Sequence, residues 1–314
     1  MNASTQKSAL VFDIGGSHIS AAVCSGPGDY RLGSVITAAH PEEETSEAFV
    51  SLLHSLGVEA GADNERVRGA ALAIPGPFDY ATGVSHMRHK LPYLFGVNVH
   101  EALAARFGWQ TGQVCSLNDA DAFLLGEIGA GAARGVARAV GLTLGTGIGS
   151  AFAVDGHVVT EGPGVPPDGE IWNLPYEDGI VEDSVSTRAI QGYYKERTGA
   201  LREVAELAAD AVRDPVAVEA FNEFGRHLGL AIRGKLYPFA PNVVVLGGGI
   251  SRSAPLFLPA TLAVLQGLEV ELRISTLLDH AALVGAGVRW FEKQSDGNGV
   301  LTQSLAGGAL AGAV

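Results

Sequence analysis

The sequence predicts an α/β protein built from two lobes of similar design. Its 314 residues are more than one ordinary hydrophobic core organises, so two domains are expected. The predicted order of three strands, then alternating helices and strands, occurs twice along the chain. Segments 13–23 and 144–154 also share a strand, a glycine turn and a second strand. Two such lobes would leave a cleft between them, with each glycine turn facing inward.

The first lobe is predicted over residues 1–117. Short β-rich runs at 9–15 and 18–24 meet at a glycine pair as a hairpin, and residues 30–39 continue as a third strand. Apolar residues at helical spacing predict a helix over 42–58. The other predicted elements are a strand at 67–74, a helix at 98–107 and a strand at 114–117.

The second lobe is predicted over residues 118–290, and the helix near 280–293 is expected to rejoin the first lobe. After its opening helix, which runs to about Ala132, helices dominate 183–234, where Pro215 opens the longest. The predicted strands are 137–144, 149–155, 157–160, 242–246 and 269–275. Residues 295–314 are rich in glycine and alanine, so a flexible tail is expected there.

Composition argues against several classes of function. The formal charge of −13 disfavours nucleic acid or an anionic membrane as the main partner. No apolar run is long enough for a membrane span and the first residues do not resemble a signal peptide, so a cytoplasmic protein is expected. The two cysteines, Cys24 and Cys115, lie in apolar runs and are interpreted as small buried residues.

Three glycine turns follow three predicted strands. Glycine lets backbone N–H groups approach an anion, and successive N–H groups form an anion site, although each turn could also be only a tight connection. No Gly-Lys-Ser/Thr sequence occurs, and no G-x-G-x-x-G opens a helix after the first strand, so neither a P-loop nor a dinucleotide-binding fold is predicted. The candidate anion-binding residues are Gly15, Gly16, Ser17, Gly145, Thr146, Gly147, Gly247, Gly248 and Gly249.

Carboxylates stand at two predicted strand ends. Asp13 precedes the first glycine turn, where it would repel a phosphate unless Mg²⁺, bound through water, lies between them; a turn-capping role is the alternative. Asn118 and Asp119 start a helix, where both residue types are favoured caps. Asp119 is the candidate general base for a substrate hydroxyl, and Asn118 the candidate contact to a neighbouring hydroxyl. Asp121, which points away from Asp119, is the less favoured base.

Six motifs together resemble the ROK family of bacterial sugar kinases. They are D-I-G-G-S at 13–17, A-I-P-G-P at 73–77, L-N-D-A at 117–120, L-G-T-G-I-G-S at 144–150, V-V-L-G-G-G-I at 244–250 and A-A-L-V-G-A-G at 281–287. The resemblance implies two actin-like (ribonuclease H-like) lobes, a cleft that binds ATP and Mg²⁺, and transfer of the γ-phosphoryl group to a hexose. The expected acceptor is the 6-OH of glucose or a close analogue, and a homodimer is also implied.

The same resemblance assigns roles to single residues. It places Asp13 near Mg²⁺ and phosphate and makes Asp119 the base. It puts Asn118 and Gly76 in contact with the sugar. The turns at 145–147 and 247–249 are implied to lie against the nucleotide.

The acidic segment 169–183, G-E-I-W-N-L-P-Y-E-D-G-I-V-E-D, departs from that family. Glu170 and Glu182 match the family's sugar-hydroxyl ligands, but Trp172 and Asn173 replace Gly-His and the zinc-binding cysteines are missing. Since a tetrahedral zinc site needs four ligands of the Cys or His type, no structural zinc is expected.

The other residues of that segment also have predicted roles. Asn173 stays a candidate donor to a sugar hydroxyl, and Trp172 either stacks on the sugar or belongs to the core. The aromatic residues and Pro175 are expected to stiffen the loop by packing. Three carboxylates are expected to be solvated or to act as caps: Glu177, Asp178 and Asp183.

Several alternatives stay open. Polyphosphate glucokinases of the family also lack the zinc cluster, but a polyanion needs a basic trough, which the overall charge does not suggest. Glucose, mannose, fructose, allose and N-acetylhexosamines differ by one hydroxyl or substituent, so the sugar is not predicted. A DNA-binding regulator is disfavoured because the first strand already begins at Ala9, and a catalytically silent sugar-binding protein is disfavoured by Asp119.

Overall fold

In the computed structural model, which describes residues 7–306 and their side chains up to Ser295, the chain divides by its internal contacts into two units. The first unit contains residues 1–122 and 283–314, and the second contains 123–282. The first unit is therefore discontinuous in sequence. Residues 1–6, where a signal peptide was not expected, and residues 307–314, the end of the expected tail, lie outside the described part.

A mixed sheet organises the first unit. Its strands, with two that form a separate hairpin, are β1 (Ser8–Ile14), β2 (His18–Ser25), β3 (Arg31–Leu32), β4 (Ile36–Ala39), β5 (Val67–Ala73), β6 (Phe78–Asp79), β7 (Val84–Ser85) and β8 (Val114–Leu117). The sheet order is β3-β2-β1-β5-β8, and β4 also pairs with β2. Because β1, β5 and β8 are parallel neighbours, their carboxyl ends meet at one edge.

A second mixed sheet organises the second unit. Its strands, with one further small hairpin, are β9 (Arg138–Leu144), β10 (Ile148–Val154), β11 (His157–Val159), β12 (Pro175–Tyr176), β13 (Gly179–Ile180), β14 (Val243–Gly247) and β15 (Glu271–Ile274). The sheet order is β11-β10-β9-β14-β15, in which β9, β14 and β15 are parallel. The ends of β9 and β14 therefore lie side by side.

The helices cover the sheets with apolar faces. They are α1 (Ser46–Glu59), α2 (Val99–Phe107), α3 (Asp119–Ala130), α4 (Val181–Ser184), α5 (Thr187–Thr198), α6 (Val204–Asp210), α7 (Pro215–Ala231), α8 (Ala254–Leu265) and α9 (Ala281–Ala306). The caps follow the residue types, since Thr45 accepts from the Ala48 N–H before α1 and Asp214 accepts from Val216 before α7. Each unit has its own core, around Phe12 and Phe49 in the first and around Phe152 and Phe221 in the second.

The predicted α/β class and alternation of elements are confirmed, but the hairpins β6–β7 and β12–β13 were not predicted, and three predicted elements differ. The single strand predicted at 30–39 is wrong, because the chain pairs only through β3 and β4 and leaves the sheet between them. The helix predicted over 42–58 starts only at Ser46, after its Thr45 cap. The last helix continues to Ala306, since no proline stops it, so the expected tail starts as helix and its flexibility stays a prediction.

Three further expectations concern the cysteines, a membrane-spanning helix and the lobe boundary. Cys24 and Cys115 are buried as predicted, and burial raises the pKa of their thiols to about 12 and about 11. No helix in the described range is both long and apolar enough to cross a membrane. The division between the units falls inside α3, and the boundary predicted at its start stays a prediction.

Candidate active site

Four predicted site residues of the first unit lie at one edge of its sheet. Asp13 is near the end of β1, Gly76 follows β5, and Asn118 and Asp119 follow β8. The Ile74 N–H donates to the Leu117 carbonyl across 3.1 Å, which keeps the β5 and β8 ends together. The parallel order of the strands thus brings residues that are far apart in sequence to one place.

The side chain of Asn118 caps α3, so the capping alternative is correct for this residue. Its Oδ1 accepts from the N–H groups of Ala120 at 2.8 Å and Asp121 at 3.4 Å. Its Nδ2 donates to the Tyr80 hydroxyl at 3.3 Å, and that hydroxyl donates to the Ile74 carbonyl at 3.2 Å. One of the two amide hydrogens is left to donate to a ligand.

Asp119 is the first residue of α3 and is half-buried. Its Oδ1 accepts from the Ala120 N–H at 3.0 Å. Its Oδ2 makes no hydrogen bond within the described part of the chain. The Oδ2 atom is thus open to a ligand, and the role of Asp119 as general base stays a prediction.

The turn between β1 and β2 begins directly after Asp13 and Ile14. The Gly15 N–H donates to the His18 carbonyl at 3.0 Å, and the Ser17 hydroxyl is within 2.8 Å of His18 Nδ1. The N–H groups of Gly16 and Ser17 donate to no protein acceptor among residues 7–306. A Cβ added at Gly16 would meet nothing within 4 Å, so this exposed turn is open to a ligand.

The two glycine turns of the second unit also lie side by side, after β9 and β14. The N–H groups of Thr146 and Gly147 likewise find no acceptor in the described residues. Gly248 has φ +79°, and a Cβ there would lie 2.4 Å from the Leu144 carbonyl oxygen. The close approach of the two turns at Gly248 therefore requires glycine, and Gly247 likewise leaves no room for a Cβ, which would lie 2.2 Å from the Phe123 ring on α3.

The acidic segment is attached to β10 through Ser150. The Ser150 hydroxyl donates to the Gly169 carbonyl at 2.7 Å and accepts from the Ile171 N–H at 3.1 Å. Trp172 is 39% exposed, so its assignment to the core is wrong, and its indole N–H donates to Glu170 Oε2 at 2.7 Å. Asn173 is exposed. One carboxylate oxygen of Glu170 is thereby occupied.

Glu182 lies against the Gly145–Gly147 turn. Its Oε2 accepts from the Ile148 N–H at 3.3 Å, and a Cβ at Gly147 would lie 2.2 Å from that oxygen. Its Oε1 pairs with Arg188 at 3.3 Å, a contact that no sequence pattern indicated. Asp183 was expected to be solvated or to act as a cap. It acts as a cap, because its carboxylate accepts a hydrogen bond from the Ile180 N–H. The structure therefore places one predicted sugar ligand beside a predicted nucleotide turn.

Sequence reasoning missed a polar cluster that joins the acidic segment to α7. The Tyr176 hydroxyl is 2.7 Å from His227 Nδ1, and His227 Nε2 is 3.2 Å from Glu223 Oε1. Burial is the main cause that raises the pKa of Tyr176 to about 12, while hydrogen bonds from Arg226 lower the pKa of Glu223. Packing and hydrogen bonding thus hold the loop at Tyr176, as predicted for this aromatic residue, whereas Trp172 and Pro175 are exposed and do not stiffen the loop by burial. Among the described residues no three His, Cys, Asp or Glu side chains could together hold a metal ion, and the absence of zinc stays a prediction.

Comparisons with known proteins found similar chains and similar solved structures. The model of the ROK family matches residues 9–293. A glucokinase from Thermotoga maritima is 28% identical, over 87% of this chain and 94% of the relative. A ROK hexokinase structure from Thermus thermophilus is 26% identical with a TM-score of 0.76, over 92% of this chain and 99% of that chain. A ROK family glucokinase from Streptomyces griseus, solved with glucose and AMPPNP, is 24% identical with a TM-score of 0.73, over 89% and 98%.

The fold class predicted from the sequence, α/β with two actin-like lobes, is confirmed by these structural matches. The family model covers nearly the whole described chain, including the strand ends, the glycine turns and the acidic segment. The chain belongs to the ROK family.

Proposed function

We propose that the protein is an ATP-dependent hexose kinase, which transfers the γ-phosphoryl group to the 6-OH of glucose or a close analogue. The observation that carries the proposal is the strand edge of the first unit, where Asp119 keeps an open carboxylate oxygen and the turn after Asp13 keeps two open N–H groups. The names of the Thermotoga and Thermus relatives, a glucokinase and a hexokinase, support the substrate class.

In the proposed reaction Asp119 accepts the hydroxyl proton as the sugar oxygen attacks the γ-phosphorus, and ADP leaves with the electron pair of the broken P–O bond. The remaining amide hydrogen of Asn118 donates to a neighbouring hydroxyl, which orients the sugar. Open N–H groups at Gly16 and Ser17 offset the charge on the phosphoryl oxygens. Catalysis by such groups is mostly positioning and electrostatic stabilisation.

The residues present suit a Mg²⁺ ion that binds together with substrate phosphates better than a metal ion held by protein ligands alone. Mg²⁺ keeps several waters and binds through one or two carboxylates together with substrate phosphates, and Asp13 supplies one carboxylate beside an open N–H turn. Bound there, Mg²⁺ would neutralise part of the phosphate charge. Asp13 would hold it through water, as the sequence predicted.

The sugar hydroxyls are proposed to bind four further residues of the predicted set. Glu170 and Glu182 each keep acceptor capacity beyond their contacts to Trp172 and Arg188, since a carboxylate oxygen accepts more than one hydrogen bond. Asn173 is exposed and can donate, while Gly76 leaves room beside Tyr80. The turns at 145–147 and 247–249 are proposed to bind the nucleotide.

One observation keeps polyphosphate as a second candidate donor. Residues Arg88, His89 and Lys90 are exposed, and none of them forms an ion pair within the described range. Two residues before this run, the His86 N–H donates to the Pro77 carbonyl at 3.0 Å, next to Gly76, the proposed contact to the sugar. This is a local basic patch on an acidic protein, and a polyanion requires such a patch.

A sugar panel assayed with ATP or polyphosphate as donor tests the proposal. We expect phosphorylation of glucose or a close analogue with ATP, and a loss of at least about 10²-fold in kcat for Asp119→Asn. Asp121→Asn, which removes the neighbouring carboxylate of the same helical turn, is the matched control and should retain turnover. Near-normal turnover by Asp119→Asn would reject the base, and sugar phosphorylation from polyphosphate alone would reject ATP as donor.

A further inference from the structure

The same arrangement of hydrogen bonds occurs at all three glycine turns. The Gly15 carbonyl is 2.8 Å from His40 Nε2. The Gly145 carbonyl accepts from both the N–H and the hydroxyl of Thr187, at 2.8 and 2.9 Å. The Gly248 carbonyl accepts from the N–H and the hydroxyl of Ser251, at 3.1 and 2.7 Å. In each turn a side chain holds one carbonyl oxygen.

A held carbonyl sets the direction of the next N–H group. The peptide unit is planar and trans, so the C=O of one residue and the N–H of the following residue point in opposite directions. The bonds at Gly15, Gly145 and Gly248 therefore turn the N–H groups of Gly16, Thr146 and Gly249 away from the protein. None of these N–H groups donates to an acceptor in the described chain.

Packing leaves one side of each turn open. A Cβ added at Gly16, Gly145 or Gly249 would meet nothing within 4 Å, although Gly248 itself packs closely against the Leu144 backbone. Glycine has no Cβ to limit rotation of its peptide units. The hydrogen bonds to the carbonyl oxygens therefore contribute to the direction of the open N–H groups in all three turns.

His40 is the side chain whose role is least local, since it lies 25 residues after the carbonyl it holds. A carbonyl can only accept, so Nε2 carries the hydrogen, and in the neutral ring Nδ1 accepts from the Tyr93 hydroxyl at 3.3 Å. The ring is stacked on buried Phe49, with centroids 6.4 Å apart and planes 11° apart. The imidazole is held in place before any ligand binds.

We propose that His40, Thr187 and Ser251 are positioning residues that aim the N–H groups of the three turns at phosphate oxygens of the nucleotide. The proposal rests on the function proposed above. Donors that are oriented in advance stabilise phosphate charge without reorganisation when the ligand binds. Loss of one orienting bond should therefore weaken nucleotide binding more than sugar binding.

Two pairs of variants test this proposal. His40→Phe keeps a ring on Phe49 but removes the donor, whereas the amide of His40→Gln can still donate. Thr187→Val keeps the backbone bond to Gly145 but removes the hydroxyl, which Thr187→Ser restores. His54→Phe is the matched control, because His54 is a half-buried imidazole of the same unit that packs on Phe107 and contacts no glycine turn.

The decisive measurement is the Kd of ADP by calorimetry, alongside KM for ATP and for the hexose and the melting temperature. We expect His40→Phe and Thr187→Val to raise the Kd of ADP by about threefold to tenfold, with partial recovery in the Gln and Ser variants. Unchanged ADP affinity in both variants, or equal losses for ADP and hexose together with a lower melting temperature, would overturn the proposal. Failure of the proposed function is distinguishable, because the wild-type protein would then bind ADP without phosphorylating a hexose.

Discussion

At the scale of single residues, Gly147 and Gly145 show that two glycines of one turn can differ in the space around them. A Cβ at Gly147 would lie 2.2 Å from Glu182 Oε2, whereas a Cβ at Gly145 would meet nothing within 4 Å. The carboxylate of Glu182 therefore occupies the space that a side chain would need. Because Gly147 carries only a hydrogen atom at this position, the Glu182 carboxylate can lie directly against the turn.

Gly147→Ala should displace Glu182 and break its hydrogen bond to the Ile148 N–H. Because the displaced atoms are the flexible end of a side chain, we expect a loss in stability of only about 1 kcal/mol and a clear rise in KM for the hexose. The same substitution in a Glu182→Ala background should add little further loss, since the obstructing carboxylate is gone. Equal effects of Gly147→Ala in both backgrounds would show that Glu182 does not transmit the change.

His100 predicts a pH dependence of folding stability. It is 3% exposed, its Nε2 is 2.8 Å from the Ser116 hydroxyl, and burial, with Lys293 as a second cause, lowers its pKa to about 4. Between that value and the ordinary pKa near 6.5 the unfolded chain binds more protons, so stability falls as the pH falls through this window. The expected loss from this group is about 2 kcal/mol at pH 5 relative to pH 8.

Urea unfolding at several pH values checks this expectation for His100. A His100→Gln variant should lose that part of the pH dependence even if it is less stable at every pH. An identical slope in wild type and variant between pH 5 and pH 7 would contradict the assignment.

At the scale of elements, the acidic segment is held to α7 by a cluster that pairs an aromatic residue with a histidine. The rings of Tyr176 and His227 are 5.6 Å apart and nearly perpendicular, and the tyrosine hydroxyl reaches the imidazole. The imidazole in turn reaches Glu223 on the same helix. This connection fixes the β12–β13 hairpin in the middle of the segment that carries Glu170 and Glu182.

Tyr176→Phe should therefore loosen the segment while keeping its ring contact. Loss of the hydroxyl leaves His227 without one partner, and we expect a destabilisation of about 1 kcal/mol together with a higher KM for the hexose. Tyr193→Phe is the matched control, because the Tyr193 ring stacks with Arg197 and its hydroxyl bonds to no described residue. Thermal melting and sugar kinetics measure both effects. An unchanged KM for the hexose in Tyr176→Phe would show that the conformation of this loop does not affect sugar binding.

At the scale of the whole molecule, the features that could be predicted best from the sequence are those that residues close together in the chain determine. Strand ends, glycine turns and the Asn118 cap depend on short patterns, and they lie where expected. The contacts of Arg188, His227 and His40 depend on which elements become neighbours, and neither spacing nor composition encodes that. The strand predicted at 30–39 failed because its pairing depends on β2 rather than on its own β-forming residues. The homodimer stays a prediction.

A further prediction at this scale concerns the zinc content of the purified protein. The acidic segment holds its shape through Tyr176 and His227, and it contains neither Cys nor His, so we expect zinc far below one atom per chain. Elemental analysis of protein purified without chelator measures this. Stoichiometric zinc, or a melting temperature lowered by a zinc chelator, would contradict it.

The discontinuity of the first unit also has a consequence for biosynthesis. Trp290 on α9 is buried and donates to the Gln113 carbonyl, and Gly287 approaches Cys24 so closely that a Cβ would lie 2.5 Å from its sulfur. Part of the first unit's interior is thus supplied by residues that leave the ribosome only after the whole second unit. During translation the sheet of the first unit therefore keeps apolar surface exposed until the second unit and then α9 have been synthesised. Nascent chains that stall before Leu283 would therefore be natural clients of chaperones.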